Sequence, residues 1–477
     1  MHSLTRTKSI AELVAASEYP HSRLRRSLGL WSLVGLGIGS VIGSGIFTFT
    51  GTAAAGTAER PGAGPGIALS FVLVAITCGF AGLCYAELAS MIPVAGSAYT
   101  YAYATLGELF AWIIGWDLIL EYAVSNMAVA VGFSAYFNDL LENVFGVHLP
   151  ASLSNPVFAG GELTGAFFNL PAFLLIMLLT AILVRGIRES ARANNIMVIV
   201  KVAAILAFIF GAFGAVDTAN WHPFMPNGFS GVLTGGAIVF FAYIGFDSVS
   251  TAAEECENPQ RNMPLGILIT LVACAVLYAG VALVLTGIAN WTTLNNAAPV
   301  ANALRTLGYN RLRFIVTVGA LIGMISSLMI FQYGQARVWF AMSRDRLLPS
   351  IFSRVHGKHQ TPDVSTWVAG LVVGLGAGIF DIGTLGDLTN IGTLFAFIIV
   401  SVGVIVLRRT QPNHKRSFRV PWVPVLPALS IFSCGVLMAS LPWETWVRFV
   451  VWLAIGLVIF FTYSRKRAAT VEIGGKH

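Results

Sequence analysis

One stretch near the start of the chain, Leu33 to Phe47, makes two demands that few folds meet together. It is apolar enough to lie in a bilayer, yet five of the eleven residues from Gly35 to Gly45 are glycine. Glycine inside a helix costs roughly 1 kcal/mol relative to alanine. Inside lipid, every backbone group that a helix releases must also find a partner within the protein. Two readings account for a sequence that accepts both penalties at Gly43-Ser44-Gly45. Gly35, Gly39 and Gly43, spaced by four, fit close helix packing. Alternatively the helix is broken, and its amides and half-helix ends face a small polar ligand, as in secondary transporters. A dinucleotide-binding loop does not fit, because G-x-G-x-x-G is absent and no strand precedes the stretch.

The rest of the chain supplies the bilayer. It is 56% apolar and only 11% charged, where a soluble protein carries about a quarter charged residues. At roughly 20 residues per span, 477 residues hold about a dozen helices and no large soluble domain. Apolar runs predict twelve spans, at about 32–57, 64–90, 108–137, 169–186, 194–216, 232–254, 265–289, 312–341, 366–381, 388–408, 420–441 and 444–464. The fold class is therefore all-α integral membrane. The net charge of +7 follows topology and is no nucleic-acid signal. Arg6, Lys8, Arg23, Arg25 and Arg26 precede the first span in a tail too long and too charged for a cleaved signal peptide. With that tail inside, basic residues such as Arg188, Arg344, Arg346, Lys358, Arg408, Arg409, Lys415 and Lys466 fall on the cytoplasmic side. The outer segments keep few, namely Arg60, Arg305, Arg311, Arg313 and Arg448. Both termini are expected in the cytoplasm, and the protein in the plasma membrane (the inner membrane of a Gram-negative cell).

Connections and repeats refine this. A short cytoplasmic helix is expected around Met91 to Tyr99 and a second, across the outer mouth, within 290–311. The sixth span, around Phe241-Ala242-Tyr243-Ile244-Gly245-Phe246-Asp247, again places glycine and polar residues at its middle. It comes five spans after the first. An odd repeat length inverts topology, so spans 1–5 and 6–10 read as inverted repeats, and paired interrupted helices point to a transporter site. The expected organisation is a tail 1–31, a ten-helix core 32–408 with repeats near 32–216 and 232–408, two further helices in 409–464, and a tail 465–477.

Some polar residues sit where lipid should be. Lys201 lies seven residues past Asn194, about 10 Å into the membrane. Either it snorkels to the headgroups, or it is a buried amine that gains and loses a proton during transport. Glu121 falls near the middle of span three, with Asp117 one turn earlier on the same face. They form a structural hydrogen-bonded pair, or Glu121 shares a proton with Lys201. Ser326 and Ser327 in span eight either bond back to their own helix or face the first helix and complete an ion or ammonium site. The five cysteines show no paired spacing and read as packing residues, with neither disulfide nor metal. All eight histidines fall outside the spans, and no nucleophile–base constellation supports an enzyme. Trp31, Trp443 and Trp446 suit an interfacial belt.

Gly37 to Phe47 resembles the first-helix signature of the amino acid–polyamine–organocation (APC) superfamily. Tyr85-Ala86-Glu87-Leu88 with Pro93 to Tyr99, Phe241 to Asp247 with Glu254 to Pro264, and Arg337 to Pro349 resemble its further motifs. The pattern is most similar to the cationic amino acid transporter branch and its bacterial homologues, over about residues 20–465. The resemblance implies a LeuT-type five-plus-five inverted repeat with two added helices and no cofactor. By that resemblance the substrate carboxylate meets amides of Ile42, Gly43, Ser44 and Gly45. Its ammonium meets carbonyls of Phe241, Ala242 and Ile244, in keeping with the half-helix dipoles. Phe241 serves as the outer lid. Lys201, opposite Ser326 and Ser327, matches the lysine that replaces sodium in proton-coupled relatives, and Glu121 matches a third-helix acid. Phe331 stands where arginine-carrying members have a small polar residue, which favours a small neutral amino acid such as alanine over arginine or lysine.

The implied function is a proton-coupled symporter of amino acids, with the proton and a small-molecule amino acid as its partners beside the lipid bilayer. An exchanger, a cationic amino acid uniporter and a non-translocating sensor remain alternatives. A channel lacks a visible filter or charged ring. An accessory subunit is not legible in the sequence.

Overall fold

A computed structural model of the chain describes residues 28–57, 60–92, 97–185, 191–251, 256–356 and 361–465, together with residues 7 and 467. The basic N-terminal tail, Pro93 to Gly96, Arg188, Glu254 and Glu255, Lys358 and Lys466 lie outside the described residues.

Each apolar run expected as a span contains a helix, and the chain is an all-helical membrane protein. The first is split into α1 (Leu30–Val41), a π turn (Gly45–Phe49) and α2 (Thr50–Ala55). There follow α3 (Ile67–Met91), α4 (Ser97–Thr105), α5 (Glu108–Phe145), α6 (Leu170–Val184) and α7 (Ala191–Ala212). The sixth run is α8 (Gly228–Val239), a 3₁₀ turn (Phe240–Tyr243) and the single turn α9 (Ser248–Thr251). The remainder are α10 (Pro259–Ile288), α11 (Pro299–Thr306), α12 (Asn310–Arg344), α13 (Asp363–Ile379), α14 (Ile382–Thr410), α15 (Val425–Ala439) and α16 (Trp443–Ile459). Among the described residues, seven helices are long and apolar enough to cross a membrane, and the bent α1–α2 pair makes an eighth. Four further apolar helices are shorter.

The stretch 290–311 does hold a short helix, α11. The short helix expected around 91–99 falls largely on residues outside the described ones; the described part that follows is α4, Ser97–Thr105. Helix α5 runs to Phe145, eight residues beyond its expected end near 137, because its last two turns hold Asp139 and Glu142 against Arg313 of α12. The five cysteines are buried, and none forms a disulfide among the described residues.

The buried centre is polar as well as apolar. Helix α12 packs on α5 and α7, α10 on α1 and α3, α14 on α5 and α15, and α13 on α6. Lipid offers helices no hydrophobic reward for associating, so close approach through small residues carries the packing. Gly319 shows it: a β-carbon there would lie 2.1 Å from that of Ala204. Trp31 and Trp443 stand exposed at helix starts, as an interfacial belt requires.

Candidate functional site

The glycine stretch breaks. Helix α1 ends at Val41, Ile42 takes an extended conformation (φ −79°, ψ 93°), and the chain resumes at an angle of 44°. The sixth run fails in a parallel way. Its 3₁₀ turn ends in extended Ile244, and Gly245 adopts φ 112°, a region that L side chains rarely enter. The two breaks touch. A β-carbon on Gly45 would lie 2.4 Å from Cα of Ala242, so only glycine lets the two backbones approach this closely.

Each break releases carbonyls, and side chains from surrounding helices take them up. The fully buried Lys201 of α7 donates from Nζ to the Gly39 carbonyl and, at 2.9 Å, to the Ile42 carbonyl. Ser327 of α12 reaches the same Ile42 carbonyl at 3.4 Å. On the second break, the Asn390 amide of α14 donates to Ala237 (2.7 Å) and Ile238 (3.3 Å). The Tyr278 hydroxyl of α10 spans both breaks, 3.0 Å from the Ala242 carbonyl and 3.2 Å from that of Val41. Ser40 donates to the Gly245 carbonyl at 2.9 Å, and Tyr136 of α5 to that of Phe47 at 2.6 Å. In a bilayer each such group left bare costs several kcal/mol, which is why so many polar side chains converge here.

Sequence reasoning placed some of these residues and missed others. Lys201 lies against the first break and does not snorkel: it is completely buried. Ser327 faces the first helix rather than its own turn, and the Ser326 hydroxyl is buried without a partner. The Ile42 amide differs from expectation, since it donates to Ile38 at 3.1 Å; Ile42 offers the site a carbonyl. Among the described residues, no backbone carbonyl accepts from the amides of Gly43 and Ser44, and the Ser44 hydroxyl has no partner. Phe241 stacks on Phe49, ring centroids 4.6 Å apart. Its carbonyl accepts from the Ile244 amide at 3.3 Å, while that of Ala242 is held by Tyr278. Phe331 is buried beside Tyr122, centroids 6.1 Å apart.

The two acids are drawn elsewhere. Asp117 is wholly buried against α14, where a β-carbon on Gly392 would meet its Oδ1 at 2.8 Å. Glu121 lies beside Thr393 on the same helix, and its Oε2 is unpartnered. Among the described residues no hydrogen bond joins the two, which sets aside the paired reading of these acids. Tyr278, Asn390 and Tyr136 went unremarked in the sequence. The only signal was a polar group in an apolar run, weak for tyrosine because its ring suits lipid as well as core.

Comparisons with known proteins agree on one family. The profile described as amino acid permease matches residues 28–463. A methylthioribose transporter of Bacillus subtilis is 49% identical over 98% of this chain and 99% of its own length. A branched-chain amino acid permease of the same organism is 49% identical over 98% of each chain. A chloroplastic cationic amino acid transporter of Arabidopsis thaliana is 34% identical over 93% of this chain and 89% of its own.

Proposed function

Because the chain belongs to the amino acid permease family of the APC superfamily, membrane transporters rather than enzymes, we propose that it is a proton-coupled symporter of neutral amino acids. One observation carries the reading: two interrupted helices meet at Gly45 and Ala242, with the Lys201 ammonium seated on the first break. The free amides of Gly43 and Ser44 suit a carboxylate at a half-helix N-terminus, and the carbonyl-rich turn at Phe241, Ala242 and Ile244 suits an ammonium.

The family implies the LeuT fold. On that architecture the chain crosses the membrane twelve times, with inverted repeats near 32–216 and 232–408, added helices in 409–464, and cytoplasmic tails 1–31 and 465–477. The host is the cell membrane, as for bacterial permeases. Protonated, Lys201 holds the first break by charge-assisted bonds, about twice as strong as neutral ones. Losing the proton weakens that hold and frees the inner half of the helix to move, which ties proton release to alternating access. Ser326 and Ser327 line the proton's surroundings, and Glu121, set apart against α14, is a further buried acid of the core.

For the substrate, Phe331 closes the side-chain pocket with a ring that offers a cationic group no acceptor. This favours alanine and the branched-chain amino acids over arginine. The relative carrying methylthioribose is as similar as the branched-chain permease. That thio-sugar has neither carboxylate nor ammonium to use the two charged half-helix ends, so the amino acid reading fits the site better.

Uptake of radiolabelled alanine, valine, arginine and methylthioribose into proteoliposomes, with and without an inward proton gradient, tests this. Gradient-driven accumulation of alanine or valine is expected. Arginine concentrated while alanine is ignored overturns the substrate, and uptake that needs only trans-substrate makes the protein an exchanger.

A further inference from the structure

The connection between α14 and α15 has a second architecture that transport does not use. From Arg408 to Arg419 it carries five basic residues, Arg408, Arg409, Lys415, Arg416 and Arg419, and the chain has no acidic residue between Asp387 and Glu444. One carboxylate from elsewhere organises it. Glu87, buried near the end of α3, accepts from Arg408 Nε at 2.8 Å and Nη2 at 2.7 Å, and from the Val420 amide at 2.7 Å. Arg416 Nε lies 3.2 Å from its other side. Arg416 also folds back to donate to the carbonyls of Leu407 and Gln411, and the Phe418 amide donates to Ser90.

This leaves an outer face of one sign. With Arg408 and Arg416 turned inward, Arg409, Lys415 and Arg419 are all exposed. Trp422 follows, 80% exposed. The strap joins the ends of two apolar helices, so it lies at the bilayer surface, where an indole sits among headgroups.

We propose that this strap binds anionic phospholipid headgroups, with Arg409, Lys415 and Arg419 as ligands, Trp422 as interfacial anchor and Glu87 as the residue that folds it. The occupant follows from charge and place: three exposed cations that pair with no acid among the described residues, beside an exposed indole, meet the phosphodiester of a lipid before any soluble anion. The inference rests on the proposed topology, which sets this connection at the cytoplasmic leaflet.

Titration of the detergent-purified full chain with fluorescent phosphatidylglycerol tests the site. Each basic residue near an anionic surface contributes about fivefold in affinity, so Arg409→Gln/Lys415→Gln/Arg419→Gln is expected to weaken binding about a hundredfold. Arg344→Gln/Arg346→Gln/Arg354→Gln, equal in charge on another exposed connection, is expected to leave it unchanged. Glu87→Gln keeps all three ligands and is expected to weaken binding by loosening the strap. An equal loss in both triple variants overturns the proposal, as does competition by inorganic phosphate as effective as by lipid. Labelling Lys415→Cys with an impermeant maleimide in sealed vesicles reports the side independently, so a wrong topology and a wrong ligand are told apart.

Discussion

The two interrupted helices solve one problem with different chemistry. At the first break the released carbonyls of Gly39 and Ile42 are held by an ammonium, with a hydroxyl at the edge of range. At the second, those of Ala237, Ile238 and Ala242 are held by a carboxamide and a phenol. A lysine can lose its charge during a cycle; an asparagine and a tyrosine at such a site do not. On the proposed reading the first break is therefore the one that answers to protons, and the second is a fixed negative end suited to a substrate's ammonium. Tyr278, touching carbonyls of both, keeps them in register.

Lys201→Ala should break this comparison most severely. Gradient-driven accumulation is expected to fall to background in proteoliposomes, while alanine or valine still raises the melting temperature of the purified variant. Unchanged accumulation would reduce Lys201 to a structural donor.

Gly45→Ala drives a methyl into the backbone of Ala242. Overpacking of about 1–3 kcal/mol is expected, and with it loss of the substrate-induced thermal shift at concentrations that saturate the natural protein. The same substitution at Gly43 meets the Ser327 side chain, its hydroxyl at 2.8 Å and its β-carbon at 3.2 Å, rather than a backbone, and should be milder. Equal effects at the two glycines would contradict the contact between the breaks.

Asn390→Ala strips the second break of its donor. A stability loss of about 1–3 kcal/mol is expected, read by thermal unfolding, with the pH dependence of uptake unaltered. A shift in that dependence would show that the second break also senses protons. Ser327→Ala should have the smallest effect, below about 1 kcal/mol, because its bond to Ile42 is long.

Much of the fold was legible because lipid restricts the options. Apolar length marks a helix wherever no water can satisfy an open backbone, and so each expected span contains one. The break at Gly43-Ser44-Gly45 was legible for the same reason. Boundaries were less so: α5 outruns its apolar stretch because Asp139 and Glu142 are neutralised by Arg313, a partner far away in the chain.

The sequence by itself determined where a membrane helix either packs closely or breaks, and that Lys201 stands at a depth where a charge needs a reason. Only the tertiary structure decided what answers each break. It turned the Ile42 amide back to Ile38, set Glu121 and Asp117 against α14 instead of one another, and brought Tyr278 and Asn390 to carbonyls in distant turns. The reason is that a broken backbone advertises its glycines locally. The donor that satisfies it can come from any helix whose packing brings a polar group within about 3 Å.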